Sequence, residues 1–179
     1  MTKRIINAIL HDIPHRSITV KAKEVLLVAG SIANSIFFVK SGCLRAWYNA
    51  NEKDITLQFF MPKQPVASFN SFINSTPSEY TIEAVVLSEI YIINGDEFRV
   101  WLENHPEYHI EGIRFAVSRL AAYQNLFLSR IKDTPQQRYE TLLREYPEIV
   151  AQIPQHYIAS YLGITPVSLS RIRARISKS

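Results

Sequence analysis

Between residues 110 and 131 apolar side chains recur at alternating spacings of three and four: Ile110, Ile113, Val117, Leu120, Phe127 and Ile131, with Gln124 in the one polar place of the row. A 3.5-residue period held over three repeats describes a helix with a narrow apolar seam, which is buried by pairing with another helix. Phe115, Ala122 and Leu126 form a second apolar stripe on another face. A helix with two such faces needs two partners. The expectation is that one stripe packs on the rest of the chain and the seam on a second copy, giving a homodimer. Burial within a single chain is the alternative. Gln124 is read as the polar residue that sets the seam's register.

Upstream the pattern is different. Short runs rich in β-branched and aromatic residues fill the stretch from about 18 to 100: residues 25–28, 36–39, 44–48, 55–60, 80–86 and 90–93. Turn residues separate them, at Gly30, Gly42, Asn49 to Asn51, Pro62 to Pro65, and Asn94 to Asp96. Many short strands at this spacing predict an antiparallel β-roll of the double-stranded β-helix or jelly-roll kind. Residues 1–15 read as helical or irregular. Asp96 is expected to cap a short helix over 97–104, and Pro106 to open the long helix at its first position.

Downstream, Asp133-Thr134-Pro135 reads as a break and a new start, with Thr134 as cap and Pro135 at the first helical position. That helix is expected to turn Tyr139, Leu142, Leu143 and Tyr146 inward and to stop before Pro147. The chain is thus α+β, divided as a β-roll over 1–107, a dimerisation helix over 108–132 and a helical domain over 133–179.

The helical domain holds the most specific pattern. A helix from about Pro154 buries Ile158, Ala159 and Leu162; Gly163 supplies the positive φ that ends it; Ile164 plugs the turn. Thr165 caps a second helix, Pro166 opens it, and Leu169, Ile172 and Ile176 form its buried side. Two short helices, a glycine turn and a basic second helix make a helix-turn-helix, whose second helix meets base edges with its N-terminal residues. The exposed set, and the candidate DNA contacts, are Thr165, Pro166, Val167, Ser168, Ser170, Arg171, Arg173 and Arg175. Charge agrees. No acidic residue follows Glu148, whereas Arg171, Arg173, Arg175 and Lys178 do; the first 148 residues carry 16 basic and 16 acidic residues. The whole excess of +4 therefore sits at the end that carries the motif.

On these residues the chain resembles the Crp/Fnr superfamily of transcription regulators: a cyclic-nucleotide-binding-type β-roll, a long dimer helix, then a helix-turn-helix. The likeness runs over residues 18–176. It is carried by Ser35 to Tyr48 around a glycine turn, by Thr134 to Leu143, and above all by Leu162 to Arg173, which is similar to the recognition segment of many Bacteroidetes members. The resemblance implies a palindromic operator in double-stranded DNA, with RNA polymerase as a candidate second partner and a small-molecule effector of unknown identity.

Two departures from the family pattern follow. Cyclic-nucleotide binders of the family carry a Gly-Glu pair and then an arginine in a phosphate-binding cassette. Here Ala67 and Ser68, followed by Phe69, stand near the pair, and Glu79 or Tyr80, followed by Thr81, stands near the arginine. With Tyr123 and Gln124 from the long helix these form the candidate effector pocket. An anionic cyclic nucleotide buried there without a cation would be poorly compensated, so cyclic AMP is not expected to bind by the family's usual mode. The chain also stops at Ser179, so a complete β-hairpin wing after the recognition helix is not expected.

Other classes find less support. The single cysteine, Cys43, excludes an intramolecular disulfide and an all-cysteine zinc or iron–sulfur site within one chain. His105 and His109 lie four apart, but Pro106 stands between them and no third ligand is evident. No nucleophile motif, glycine-rich phosphate loop or paired-carboxylate spacing is found, so neither an enzyme, nor a metal, nor a cofactor is expected. No apolar run reaches membrane-spanning length and no signal peptide is evident, so a cytoplasmic address is expected. The competing readings are a small-ligand-binding β-roll with a degenerate DNA-binding domain and, more weakly, a cupin-like metalloenzyme.

Overall fold

The computed structural model describes residues 3–51 and 53–177; Lys178 lies outside the described residues. The chain opens with α1 (Lys3–Asp12), whose Ile5, Ile9 and following Ile13 recur every fourth residue and are buried. Eight strands and one short helix follow: β1 (His15–Val20), β2 (Val25–Leu27), β3 (Ser35–Ser41), β4 (Leu44–Ala50), β5 (Lys53–Phe60), β6 (Pro65–Val66), α2 (Phe69–Asn74), β7 (Thr81–Ala84) and β8 (Ser88–Asn94). They form two four-stranded antiparallel sheets, β1-β8-β3-β6 and β2-β7-β4-β5. Strand alternation then assigns each side chain a face. On β3, Phe37 and Val39 join Val20, Leu44, Ile82 and Ile90 inside the roll. Ile36 and Phe38 point the other way, under α1 and α2. Gly42 takes φ +85° between β3 and β4, and a Cβ there would meet the Leu87 carbonyl oxygen at 2.6 Å.

The expected strands are present, with three additions. β1, β6 and α2 fall in stretches that carry little signal: β1 is polar and mostly exposed, β6 is two residues long, and α2 is a six-residue helix.

Helices occupy the remainder. α3 (Gly95–Asn104) is capped by Asn94 and not by Asp96: the Asn94 side chain accepts from the Asp96 and Glu97 amides at 2.8 and 3.2 Å. Asn94 is the last residue in extended conformation, as a cap requires. Asp96 lies already inside the first turn. Pro106–Tyr108 form a single 3₁₀ turn, so the long helix α4 (His109–Lys132) begins three residues later than Pro106 suggested. α5 (Pro135–Glu145) starts on a full capping box, with Thr134 and Gln137 bonding reciprocally. Of its expected inward residues Tyr139 and Leu142 are buried, but Leu143 and Tyr146 are exposed. The chain continues through Pro147 into α6 (Pro147–Gln152), whose Ile149 takes the core place instead.

One apolar cluster joins this helical unit to the roll. Cys43, Phe59, Met61 and Val85 from the sheets pack with Tyr139, Leu142, Ile149 and Ile158.

Candidate nucleic-acid interface

The last two helices are α7 (Gln155–Leu162) and α8 (Pro166–Ile176). Gly163 ends α7 at φ +70°, ψ 34°, and the Ile164 amide donates back to the Ala159 carbonyl at 3.0 Å. Ala159 is fully buried, and Ile158, Leu162, Leu169 and Ile172 close the space between the helices. The Thr165 hydroxyl accepts from the Ser168 amide at 3.2 Å, and Pro166 occupies the first helical position, where its missing N–H is not needed. Arg130 and Arg138 donate to the last carbonyls of α7, at Tyr161 (2.7 Å) and Leu162 (3.0 Å). Charged donors at a helix C-terminus complement its dipole.

The outward side of α8 carries the predicted residues. Thr165, Pro166, Val167, Ser170, Arg171 and Arg175 are exposed; Ser168 and Arg173 are half-buried. The Ser168 hydroxyl lies 3.0 Å from that of Thr165, so it serves the cap first. No acidic residue stands in the first turn of α8. Its N-terminal end therefore has the polarity that suits a phosphate.

How this motif is held against the roll could not be read from spacing. β5 is the edge strand of its sheet, and α7 covers that edge. The Thr56 amide donates to Ser160 Oγ at 2.9 Å, and that hydroxyl donates to the Asp54 carbonyl at 2.7 Å. Phe59 and Tyr161 pack nearby with ring centres 5.4 Å apart and planes tilted by 50°. Arg45, only 2% exposed, lies at the centre of the contact. Its guanidinium donates to Glu83 Oε1 at 2.8 Å and to Thr56 Oγ1 at 3.0 Å. The one available signal was a lone charged residue, Arg45 or Glu83, within each of two runs that otherwise read as buried strand.

On α4 the seam residues Ile110, Ile113, Val117, Leu120, Phe127 and Ile131 are each 57–69% exposed, and Gln124 is exposed in the same row. The second stripe behaves differently. Phe115 and Leu126 are half-buried, Phe115 against Phe69 at 6.1 Å between ring centres, while Ala122 is exposed. Tyr123 donates its hydroxyl to Gln58 Oε1 at 2.7 Å, tying α4 to β5.

The candidate effector residues do not form one pocket. Ala67, Ser68, Tyr80 and Thr81 come together, but their polar groups are engaged within the protein. The Tyr80 hydroxyl donates to the Ala67 carbonyl at 3.3 Å, and the buried Ser68 and Ser78 hydroxyls lie 2.9 Å apart. Burial pushes the Tyr80 phenol above its ordinary pKa, so it stays neutral. Thr81 is buried and accepts from the Ala29 amide at 3.1 Å. Glu79 and Gln124 face solvent, and Phe69 and Tyr123 line a separate cavity on the outer side of β3. His105 and His109 are engaged by the Trp101 and Leu102 carbonyls at 2.7 and 2.9 Å. Among the described residues no group of three potential metal ligands occurs, and no helix is long and apolar enough to cross a membrane.

Comparison with known proteins adds the following. Residues 17–105 match the family model of the cyclic nucleotide-binding domain. FixK2 from Bradyrhizobium japonicum superimposes with a TM-score of 0.82 at 13% identity, over 92% of this chain and 85% of that one. A CooA variant from Carboxydothermus hydrogenoformans gives 0.73 at 17% identity, over 98% and 84%. A protein from Eubacterium rectale described as a transcriptional regulator of the Crp/Fnr family gives 0.73 at 18% identity, over 99% and 84%. No curated protein sequence matches.

Proposed function

We propose that this chain, which has the fold of Crp/Fnr-type regulators and a cyclic nucleotide-binding-type domain over residues 17–105, is a homodimeric transcription regulator that binds a palindromic operator. The observation that carries the reading is the outward side of α8. A fully capped helix, packed on α7 through Leu169 and Ile172, presents Arg171 and Arg175 on a face without acidic residues. A hairpin retained only for packing has no need of that face. In the family's docking mode α8 enters the major groove and its first two turns meet base edges.

The exposed seam of α4 supports assembly. Six large apolar side chains in one row, each more than half exposed, are an unstable surface for a monomer. Two copies pairing along α4 bury them and bring two α8 helices onto one face of the duplex. Half-sites then form an inverted repeat about one helical turn apart, ~34 Å centre to centre.

The effector is not a cyclic nucleotide held in the family's usual way. Of the two residues near the arginine's place, Glu79 faces solvent and Tyr80 is bonded to the Ala67 carbonyl, and Ser68 and Ser78 pair with each other. Selection of random duplexes with purified protein tests the whole reading. A consensus of two inverted half-sites supports it; recovery without sequence preference rejects it in favour of a ligand-binding roll whose DNA domain no longer reads.

A further inference from the structure

On the outer side of β3 lies a cavity of about 640 Å³ with almost wholly apolar walls. Ile36 and Phe38 form its floor, Phe72 on α2 one side and Phe115 on α4 another. It is distinct from the roll interior, to which Phe37 and Val39 of the same strand turn. Ala67, Ser68, Tyr80 and Thr81 do not line it. Its volume falls within the ~300–1,000 Å³ of small-molecule pockets.

Two further features point to an occupant. Gly112 stands on α4 at the wall, and a Cβ built there meets no atom within 4 Å. Glycine in a helix is unfavourable relative to alanine, and no neighbour in this chain uses the space it leaves. Two guanidiniums also reach the cavity. Arg99 is engaged by Asp96 and by the Phe72 carbonyl. Arg119 is half-buried, lies 5.3 Å from the centre of the Tyr123 ring, and has no carboxylate partner among the described residues.

We propose that this cavity binds an amphipathic carboxylate with a medium-length acyl chain, the chain lying past Gly112 against Phe38, Phe72 and Phe115 and the carboxylate pairing with Arg119. A carboxylate on a guanidinium forms charge-assisted, bidentate hydrogen bonds. The apolar walls have nothing to offer the several polar groups of a nucleotide. The inference stands apart from DNA reading and is tested without DNA.

Calorimetry with decanoate, and with 1-decanol as its neutral counterpart, on the full-length protein decides it. Decanoate is expected to bind saturably, one molecule per chain. Arg119→Gln is expected to weaken decanoate about tenfold and leave decanol unchanged. Gly112→Phe and, independently, Ala116→Leu fill the cavity; each is expected to weaken both ligands more than about tenfold with the thermal midpoint held or raised. Should Gly112→Phe fail to fold, Ala116→Leu carries the test alone. Absence of saturable decanoate binding to the wild type overturns the proposal, since the cavity is then filled by a partner's α4 or closes in solution. Undiminished binding by the cavity-filling variants overturns it as well. Decanoate affinity indifferent to Arg119→Gln overturns the assignment of the carboxylate.

Discussion

The guanidinium carbon of Arg45 lies 3.9 Å from the centre of the Tyr157 ring, so a strand of the roll and the first helix of the helix-turn-helix meet through a buried cation–π contact. The same guanidinium is paired with Glu83, itself buried. Arg45→Ala would leave the Glu83 carboxylate buried without a partner. Removing one member of such a pair costs about 3–5 kcal/mol. Urea unfolding is expected to show a loss of that order, and Glu83→Gln placed on Arg45→Ala is expected to recover part of it. A change within ~0.5 kcal/mol, as at ordinary surface sites, would mean that the contact does not hold the two units together.

Assembly is tested at the seam. Replacing Leu120 and Phe127 by Lys places charges where two apolar faces should meet, and monomers are the expected product by light scattering. Both residues are more than half exposed in one chain, so the fold of each copy should survive, as circular dichroism would show. Wild-type protein that is monomeric at micromolar concentration contradicts the dimer.

For cyclic AMP and cyclic GMP, calorimetry is expected to give no saturable heat at micromolar concentrations. Neither Glu79 nor Tyr80 supplies a cation, and the Tyr80 hydroxyl is turned to the Ala67 carbonyl. Saturable binding in the roll would show that the cassette rearranges to supply a cation from elsewhere.

Cys43 provides a pH-dependent test of the shared core. Burial pushes its thiol up from 9.0 to about 12, and the side chain packs in the cluster that joins sheets and helices. The folded state therefore holds a proton that the unfolded state releases above pH 9. This contribution to stability is complete below pH 9 and is lost as pH rises towards 12. At pH 8 iodoacetamide is expected to leave native Cys43 unmodified and to label it rapidly in urea. Rapid labelling without denaturant would show that the cluster opens.

Much of this architecture was legible in the chain. The turn glycines and β-branched runs located six of the strands, and the Thr134–Pro135 and Thr165–Pro166 pairs located the starts of α5 and α8, because caps are local chemistry. The seam was legible for the same reason: a 3.5-residue period needs no knowledge of the partner. What escaped depends on contacts distant in sequence. Leu143 reads as core by its spacing from Tyr139, but α6 delivers Ile149 to that place. Asp96 reads as a cap until β8 is seen to end on Asn94. Arg45 and Glu83 lie on strands 38 residues apart, and only their register reveals a buried ion pair. The effector set mixed residues from loops, α2, β7 and α4 that face different ways, since likeness to a cassette pattern cannot tell that Phe69 lines the outer cavity while the Tyr80 hydroxyl bonds the Ala67 carbonyl.

Base reading by the proposed recognition helix α8 is tested most directly by one comparison: operator binding by wild type, Arg171→Ala and Arg175→Ala, measured by fluorescence anisotropy across a salt series and against operators changed one base pair at a time. Arg171 is exposed in the second turn of α8, where an arginine can reach guanine O6 and N7, a contact worth about 1–3 kcal/mol of discrimination. Arg171→Ala is predicted to weaken operator binding and to lose preference at one base pair of each half-site. Arg175→Ala is predicted to weaken all sequences alike and to reduce the salt dependence by roughly one unit of slope per monomer. An Arg171→Ala protein that keeps the wild-type preference at every position contradicts the claim that this helix reads sequence through Arg171.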